Sequence, residues 1–118
     1  MPVELNPSQS LGLLHDVAVA MVRDVRPDGL ADLSIRQLAI LSVIYLEMPP
    51  HTVRGLAQKL RVTKPVITRA LDSLGKADLV ARRRDERDLR NVIIQRTVKG
   101  ALFVERLGDL VAARAADL

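Results

Sequence analysis

The chain has 118 residues, 48% of them hydrophobic, a formal net charge of +4, two histidines and no cysteine. That length gives a one-domain expectation for 1–118, and the composition excludes a disordered tail. The lack of cysteine excludes disulfides, thiolate metal sites and thiol redox sensing, and His15 and His51 are too few for a metal cluster, so no cofactor and no metal are expected. Residues 1–10 have neither a basic start nor an apolar core, and charges interrupt every long apolar stretch. The expectation is a cytoplasmic protein with no secretory signal and no membrane span.

Charge is distributed unevenly. Residues 1–52 hold three Lys/Arg and six Asp/Glu, residues 53–100 hold thirteen and five, and residues 101–118 hold two and three. One segment of net +8 therefore lies between two weakly acidic ones. That is the footprint of a protein that binds the phosphate backbone of nucleic acid. The competing reading is a solvated basic surface, which usually intersperses the two signs.

Asn6-Pro7-Ser8-Gln9 predicts a helix start, with Asn6 as cap, Pro7 at the first position and Gln9 as the capping-box partner. Leu11, Leu14, Ala18, Met21, Val22 and Val25 then share one helical face. Pro27-Asp28-Gly29 carries turn chemistry that would end this helix. It lies outside the basic segment, so core packing, a dimer contact or both are open to it. His15 beside the stripe reads as packed or solvent-facing.

Ser34 and Gln37 form a second capping box, with Leu33 and Leu38 spaced for a hydrophobic staple. Leu38, Leu41, Ile44 and Tyr45 continue an apolar face until Pro49-Pro50 stops the helix. Thr52 caps a short helix over about Val53 to Leu60, with Val53, Leu56, Ala57 and Leu60 inward. Arg61-Val62 makes a tight connection. Thr63 is read as the cap of a further helix of about 63–75, in which Pro65 is tolerated because the first turn has no use for an N–H. Val66, Ile67, Ala70, Leu71 and Leu74 make its buried face, leaving Lys64, Thr68, Arg69 and Asp72 outside. Two short helices so joined form a helix-turn-helix, whose second helix can enter the major groove of DNA. Its N-terminus is positive by dipole and offers free N–H groups. Lys64 and Arg69 add charge, and Thr63 and Thr68 add hydroxyls.

Leu79-Val80-Ala81 and Val92-Ile93-Ile94 read as paired strands with an arginine-loaded connection over 82–91. An arginine-rich hairpin suits a narrow minor groove, where negative potential is concentrated. Asp85 and Asp88 within it repel phosphate, and pairing with neighbouring arginines so as to orient them is the reading given to both. A charged hairpin kept soluble by mixed signs is the alternative. After Gly100 a last helix carries Leu102, Phe103, Leu107, Leu110 and Val111, followed by an alanine-rich end.

Leu33-Ser-Ile-Arg-Gln37, Leu56-Ala57 with Leu60, Val62-Thr63-Lys64-Pro65-Val66-Ile67-Thr68-Arg69, Leu79-Val80-Ala81-Arg82 with Asp85, Asp88 and Arg90, and Thr97-Val-Lys-Gly100 occur in this order. In that order and spacing the chain resembles the MarR-type winged-helix regulators from about Leu33 to Gly100. Departures are Asp78 where glycine is usual, Leu89 where a basic residue is common, and Arg96 where leucine usually precedes Thr97. Asp tolerates the left-handed conformation better than most residues. The resemblance implies a mainly α fold with a small β-hairpin wing. The helix from Thr63 would read the major groove, and Arg90 would belong to a wing that meets the minor groove. It also implies a homodimer built from terminal helices on a pseudo-palindrome. In that family a small aromatic acid or phenol often binds between the lobes; here only Tyr45 and Phe103 are aromatic, and any effector is unknown.

The expectation is thus a winged helix-turn-helix over 33–97, flanked by dimerising helices in 1–32 and 98–118. It would act as a homodimeric transcriptional repressor on double-stranded DNA, and not as an enzyme. Arg84, Arg87 and Arg90 would act at the wing, and Thr63, Lys64, Pro65, Thr68 and Arg69 at the major groove. Arg54 and Arg61 would hold phosphates. Leu11, Leu14, Ala18, Met21, Leu107, Leu110 and Val111 would form the dimer interface. A winged helix used to bind protein is the reading from another class; it calls for an apolar or acidic outer face on the second helix, or a blunt wing.

Overall fold

The computed structural model describes residues 4–24 and 33–118. Five helices and a small sheet follow in the order α1 (Pro7–Arg23), α2 (Ile35–Leu46), β1 (His51–Thr52), α3 (Val53–Leu60), α4 (Lys64–Lys76), β2 (Val80–Arg84), β3 (Val92–Arg96) and α5 (Val98–Ala116). The described residues fall into two compact units, one of α1 with Glu105–Leu118 and one of Leu33–Val104.

The unit Leu33–Val104 is built on capped helices. Ser34 accepts from the Gln37 N–H at 3.1 Å while Gln37 accepts from the Ser34 N–H at 2.9 Å, so two amides of the first turn of α2 are satisfied reciprocally. The Thr52 hydroxyl accepts from Gly55 N–H at 2.9 Å and starts α3. Arg61 ends α3 in the left-handed region at φ 56°, the tight connection expected at Arg61-Val62. Ile40, Leu41 and Ile44 of α2, Leu56 and Ala57 of α3, and Ile67, Ala70, Leu71 and Leu74 of α4 form the core with Leu79, Val80, Ile94 and Phe103. Each large apolar side chain buried here contributes about 1.5–3 kcal/mol. The core therefore fixes α4 by one face and leaves its polar face to solvent.

The sheet is antiparallel in the order β1-β3-β2. Two features differ from the sequence expectation. Arg82, Arg83 and Arg84 are not in the hairpin tip but in β2, opposite Ile94, Ile93 and Val92. Backbone pairing with the apolar strand β3 extends β2 past the last apolar residue, because strand formation depends on the neighbouring strand more than on residue type. The third strand, His51–Thr52, was not anticipated, because two residues carry no alternation to read. Asp78 takes φ 58°, the left-handed turn expected at that position.

One polar node ties the unit together. The Tyr45 hydroxyl donates to Leu79 O at 2.7 Å and accepts from Thr97 N–H at 3.0 Å. The Thr97 hydroxyl donates to Asp78 O at 2.7 Å and accepts from Gly100 N–H at 2.9 Å, capping α5. Gly100 lies so close that a β-carbon there would overlap both Tyr45 Oη and Leu79 O.

In the other unit, Asn6 and Gln9 close a capping box at 2.8 and 3.1 Å, with Pro7 at the first position of α1. The 17-residue helix buries none of its residues in the protomer. Arg106 pairs with Asp24 at 3.1 Å. The apolar residue expected at Val25 and the stop at Pro27-Asp28-Gly29 lie outside the described residues.

Candidate nucleic-acid interface

Thr63, Lys64, Pro65, Thr68 and Arg69 are all exposed on α4. The buried positions Ile67, Ala70, Leu71 and Leu74 take the opposite face, so the helical repeat alone sorts these residues outward. Thr63 occupies the N-cap position but makes no side-chain cap bond, against the expectation that its hydroxyl would cap. Arg54 on α3 and Arg61 at its end are exposed too. Among the described residues the side chains of Arg54, Arg61, Lys64, Arg69 and Arg87 have no hydrogen-bond partner.

The hairpin tip is organised by its two aspartates in different ways. Asp88 holds Arg90 through Nε at 3.0 Å and Nη2 at 3.3 Å, and also accepts from the Arg90 N–H at 3.1 Å. The Arg90 side chain is nonetheless 85% exposed. The hydrogen bond from the Arg90 guanidinium, then that from its backbone N–H, holds the Asp88 carboxyl below the ordinary carboxylate range, against a smaller desolvation effect; the charge of Arg54 adds to the lowering. Asp85 instead accepts from the Arg87 N–H at 2.9 Å and shapes the backbone rather than a guanidinium. Arg84 turns back to the tip, donating to Leu89 O at 2.7 Å.

Two basic residues have roles the sequence reading did not give them. Arg82 donates to Asp72 of α4 at 2.8 Å. Arg96 donates to Ile44 O at 2.8 Å and Glu47 O at 2.9 Å, and lies 5.8 Å from the centre of the Tyr45 ring. It thereby caps the carbonyl end of α2, where a cation is favoured. Arg83, on the other face of β2, is exposed. The signal that could have separated them is strand alternation, once β2 is known to run through Arg84. Both aromatic side chains are committed to the fold, Tyr45 through its hydroxyl and Phe103 by burial.

A profile describing the MarR family matches residues 33–92, about half of the chain. The chain belongs to the MarR family. Members of this family are transcription regulators, and the winged helix with its exposed α4 and hairpin is the corresponding architecture. No curated protein matches it by sequence. Among solved structures, YusO protein from Bacillus subtilis is similar at a TM-score of 0.75 and 18% identity, over 93% of this chain and 72% of that one. An S. aureus MepR–DNA complex is similar at 0.73 and 20% identity, over 90% of this chain and 82% of that one. Streptococcus pneumoniae FabT in complex with DNA is similar at 0.66 and 25% identity, over 93% and 78%. Among the described residues no helix is long and apolar enough to cross a membrane, and no group of three or more His, Asp or Glu is placed to hold a metal ion.

Proposed function

We propose that this MarR-family chain is a homodimeric repressor that binds a pseudo-palindromic operator, with α4 in the major groove and the 82–91 hairpin in the adjacent minor groove. The observation that carries the reading is the pairing, within one unit, of an α4 start bearing exposed Thr63, Lys64, Pro65, Thr68 and Arg69 with a wing on which Asp88 holds an exposed Arg90. Lys64, Arg69, Arg54 and Arg61 can meet phosphate without breaking an internal pair. Thr63, with its hydroxyl not spent on the cap, can meet phosphate or a base edge. The DNA complexes of MepR and FabT support the same use of the fold.

The dimer rests on α1. A helix that buries none of its residues and leaves Leu11 67% and Leu14 63% exposed calls for a second apolar surface. Ala18 and Met21 continue that face, and Leu107, Leu110 and Val111 of α5 supply the rest of the interface. A dimer sets two copies of α4 one helical turn of DNA apart, which is why the operator is an inverted repeat.

The test is selection of bound fragments from the source genome with wild type and Arg90→Ala at about 0.2 M salt, where non-specific binding is weak. Wild type should recover fragments that share an inverted repeat, and the variant should lose them. Equal enrichment by both proteins would refute the wing's role and favour a protein-binding winged helix. Sedimentation of Leu11→Glu with Leu14→Glu should give monomers; an unchanged mass would refute the α1 interface.

A further inference from the structure

Of the arginines on the hairpin strands, two point back into the protein. Residues directly opposite one another in the antiparallel pair share a face, so Val80 and Arg96, Arg82 and Ile94, and Arg84 and Val92 lie on one side of the sheet. Val80 and Ile94 are buried, which makes that side the inner one. Arg82, opposite the buried Ile94, therefore lies on the inner side of the strand pair. Its Nη1 reaches Asp72 Oδ1 at 2.8 Å, and its Nη2 lies 3.8 Å from where a β-carbon of Gly75 would be. Asp72 and Gly75 are one turn apart on α4, so the guanidinium lies along the helix surface with a glycine beneath it.

The space it crosses is an open cleft of about 610 Å³, lined by Asp72, Gly75, Lys76, Asp78, Val80, Ala81 and Arg82. The start of β2 is held by the buried pair Leu79 and Val80 and by backbone bonds from Asp78 N–H to Gly75 O at 3.0 Å and Leu79 N–H to Leu74 O at 2.9 Å, and farther along the strand the Arg82–Asp72 pair is the side-chain bond that crosses the cleft to α4. The other strand is tied separately, by Arg96 to the carbonyl end of α2.

We infer that Arg82 is a positioning residue: through Asp72 it sets the angle of the wing to α4, and so the match between the two DNA-reading elements. The inference rests on the DNA-binding reading above. It also accounts for a carboxylate on the outer face of a helix proposed to meet DNA, since Asp72 is neutralised from below by Arg82 and is not left to repel phosphate. The ion pair is half-exposed and adds little to global stability. What it changes is where the hairpin points.

The test has an arm without DNA and an arm with it. The chain has no cysteine, so spin labels can be placed on Gln58→Cys in α3 and Glu86→Cys at the hairpin tip of the full-length protein, diluted into unlabelled protein. Wild type should give one narrow label-to-label distance, Arg82→Met a broadened or shifted one with little change in melting temperature, and the exchange of Asp72→Arg with Arg82→Asp a narrow one again. A distribution unaffected by Arg82→Met overturns the inference. In the second arm the probe is a duplex recovered with wild type and carrying both half-sites. Arg82→Met should weaken binding about tenfold, and should cost nothing further in an Arg90→Ala background, because the effect is carried by the wing. An equal loss in both backgrounds would mean that Arg82 touches DNA itself and would overturn the positioning role. Failure of wild type to select any duplex would sink the DNA reading alone, with the distance measurement still deciding the clasp.

Discussion

Gly100→Ala tests the polar node at the root of the wing. Gly100 is in the first turn of α5, where alanine would ordinarily be favoured over glycine by about 1 kcal/mol. Here the added β-carbon would overlap Tyr45 Oη and Leu79 O, and would sit 2.7 Å from Tyr45 Cζ. Leu79 O is backbone at the buried start of the wing and has little room to retreat. The tyrosine ring must move, which breaks its bonds to Leu79 O and Thr97 N, each worth about 1 kcal/mol net. Overpacking adds about 1–3 kcal/mol. After the helix gain is subtracted, the net loss is about 2–4 kcal/mol, which lowers a urea midpoint by roughly 1–2 M. Gly75→Ala is the matched control, because its β-carbon meets only Arg82 Nη2 at an ordinary 3.8 Å. It should be neutral or stabilising by up to about 1 kcal/mol. Both variants are compared with wild type at one protomer concentration, since the stability of the proposed dimer would depend on it. A Gly100→Ala midpoint at or above wild type would refute the reasoning.

Three further outcomes follow from single contacts. Asp78→Val places a β-branched residue at φ 58° and should destabilise by about 1–2 kcal/mol in the same urea titration, whereas Asp78→Gly should not destabilise. Arg96→Leu removes the cation from the carbonyl end of α2 and should cost about 1–2 kcal/mol, with faster amide exchange in β3 as the local readout. The Asp88 carboxyl followed by NMR should titrate below an ordinary aspartate, and should rise part of the way back in Arg90→Ala, which removes the guanidinium bond but keeps the backbone N–H of residue 90 and the Arg54 charge. The sign is that of a depressed carboxylate: the Asp88–Arg90 contribution is present above the ordinary aspartate range and is lost as pH falls through the lowered value. Operator affinity should therefore show no Asp88-dependent step between neutral pH and the ordinary aspartate range.

The parts of this fold that were legible are those with a local cause. Two capping boxes, the Thr52 cap and the left-handed turn at Asp78 each depend on residues within a few positions of one another. The buried stripe of α4 follows from its helical period, and so does the outward set that includes Lys64 and Arg69. What was not legible depends on distant partners. Arg96 stood out in sequence only as a departure from leucine, and its purpose depends on carbonyls at Ile44 and Glu47. Arg82–Arg84 read as a tip because the apolar residues that mark the strand stop at Ala81, and the partner strand decides otherwise. Thr63 has the right residue type for a cap, but the hydroxyl does not make the bond. Residue type alone cannot distinguish a cap that is used from one left for another partner.

The same distinction governs the charge. Thirteen Lys/Arg between residues 53 and 100 suggested a broad phosphate footprint. Of these, Lys59 pairs with Glu47, Arg82 with Asp72 and Arg90 with Asp88, while Arg84 and Arg96 are bonded to backbone carbonyls. The remainder, including Arg54, Arg61, Lys64 and Arg69, have no such partner among the described residues. Binding to phosphate releases counterions only where the cation is free to give its charge to DNA. Arg61→Ala or Arg54→Ala should therefore lower the slope of log affinity against log salt by about 1 each, without altering the recovered sequence. Arg96→Met and Lys59→Met should leave that slope unchanged, although both remove a positive charge from the same basic segment. Equal slope changes for all four would mean that affinity follows net charge alone, and the division between cations bonded within the protein and cations without such a bond would have no bearing on DNA binding.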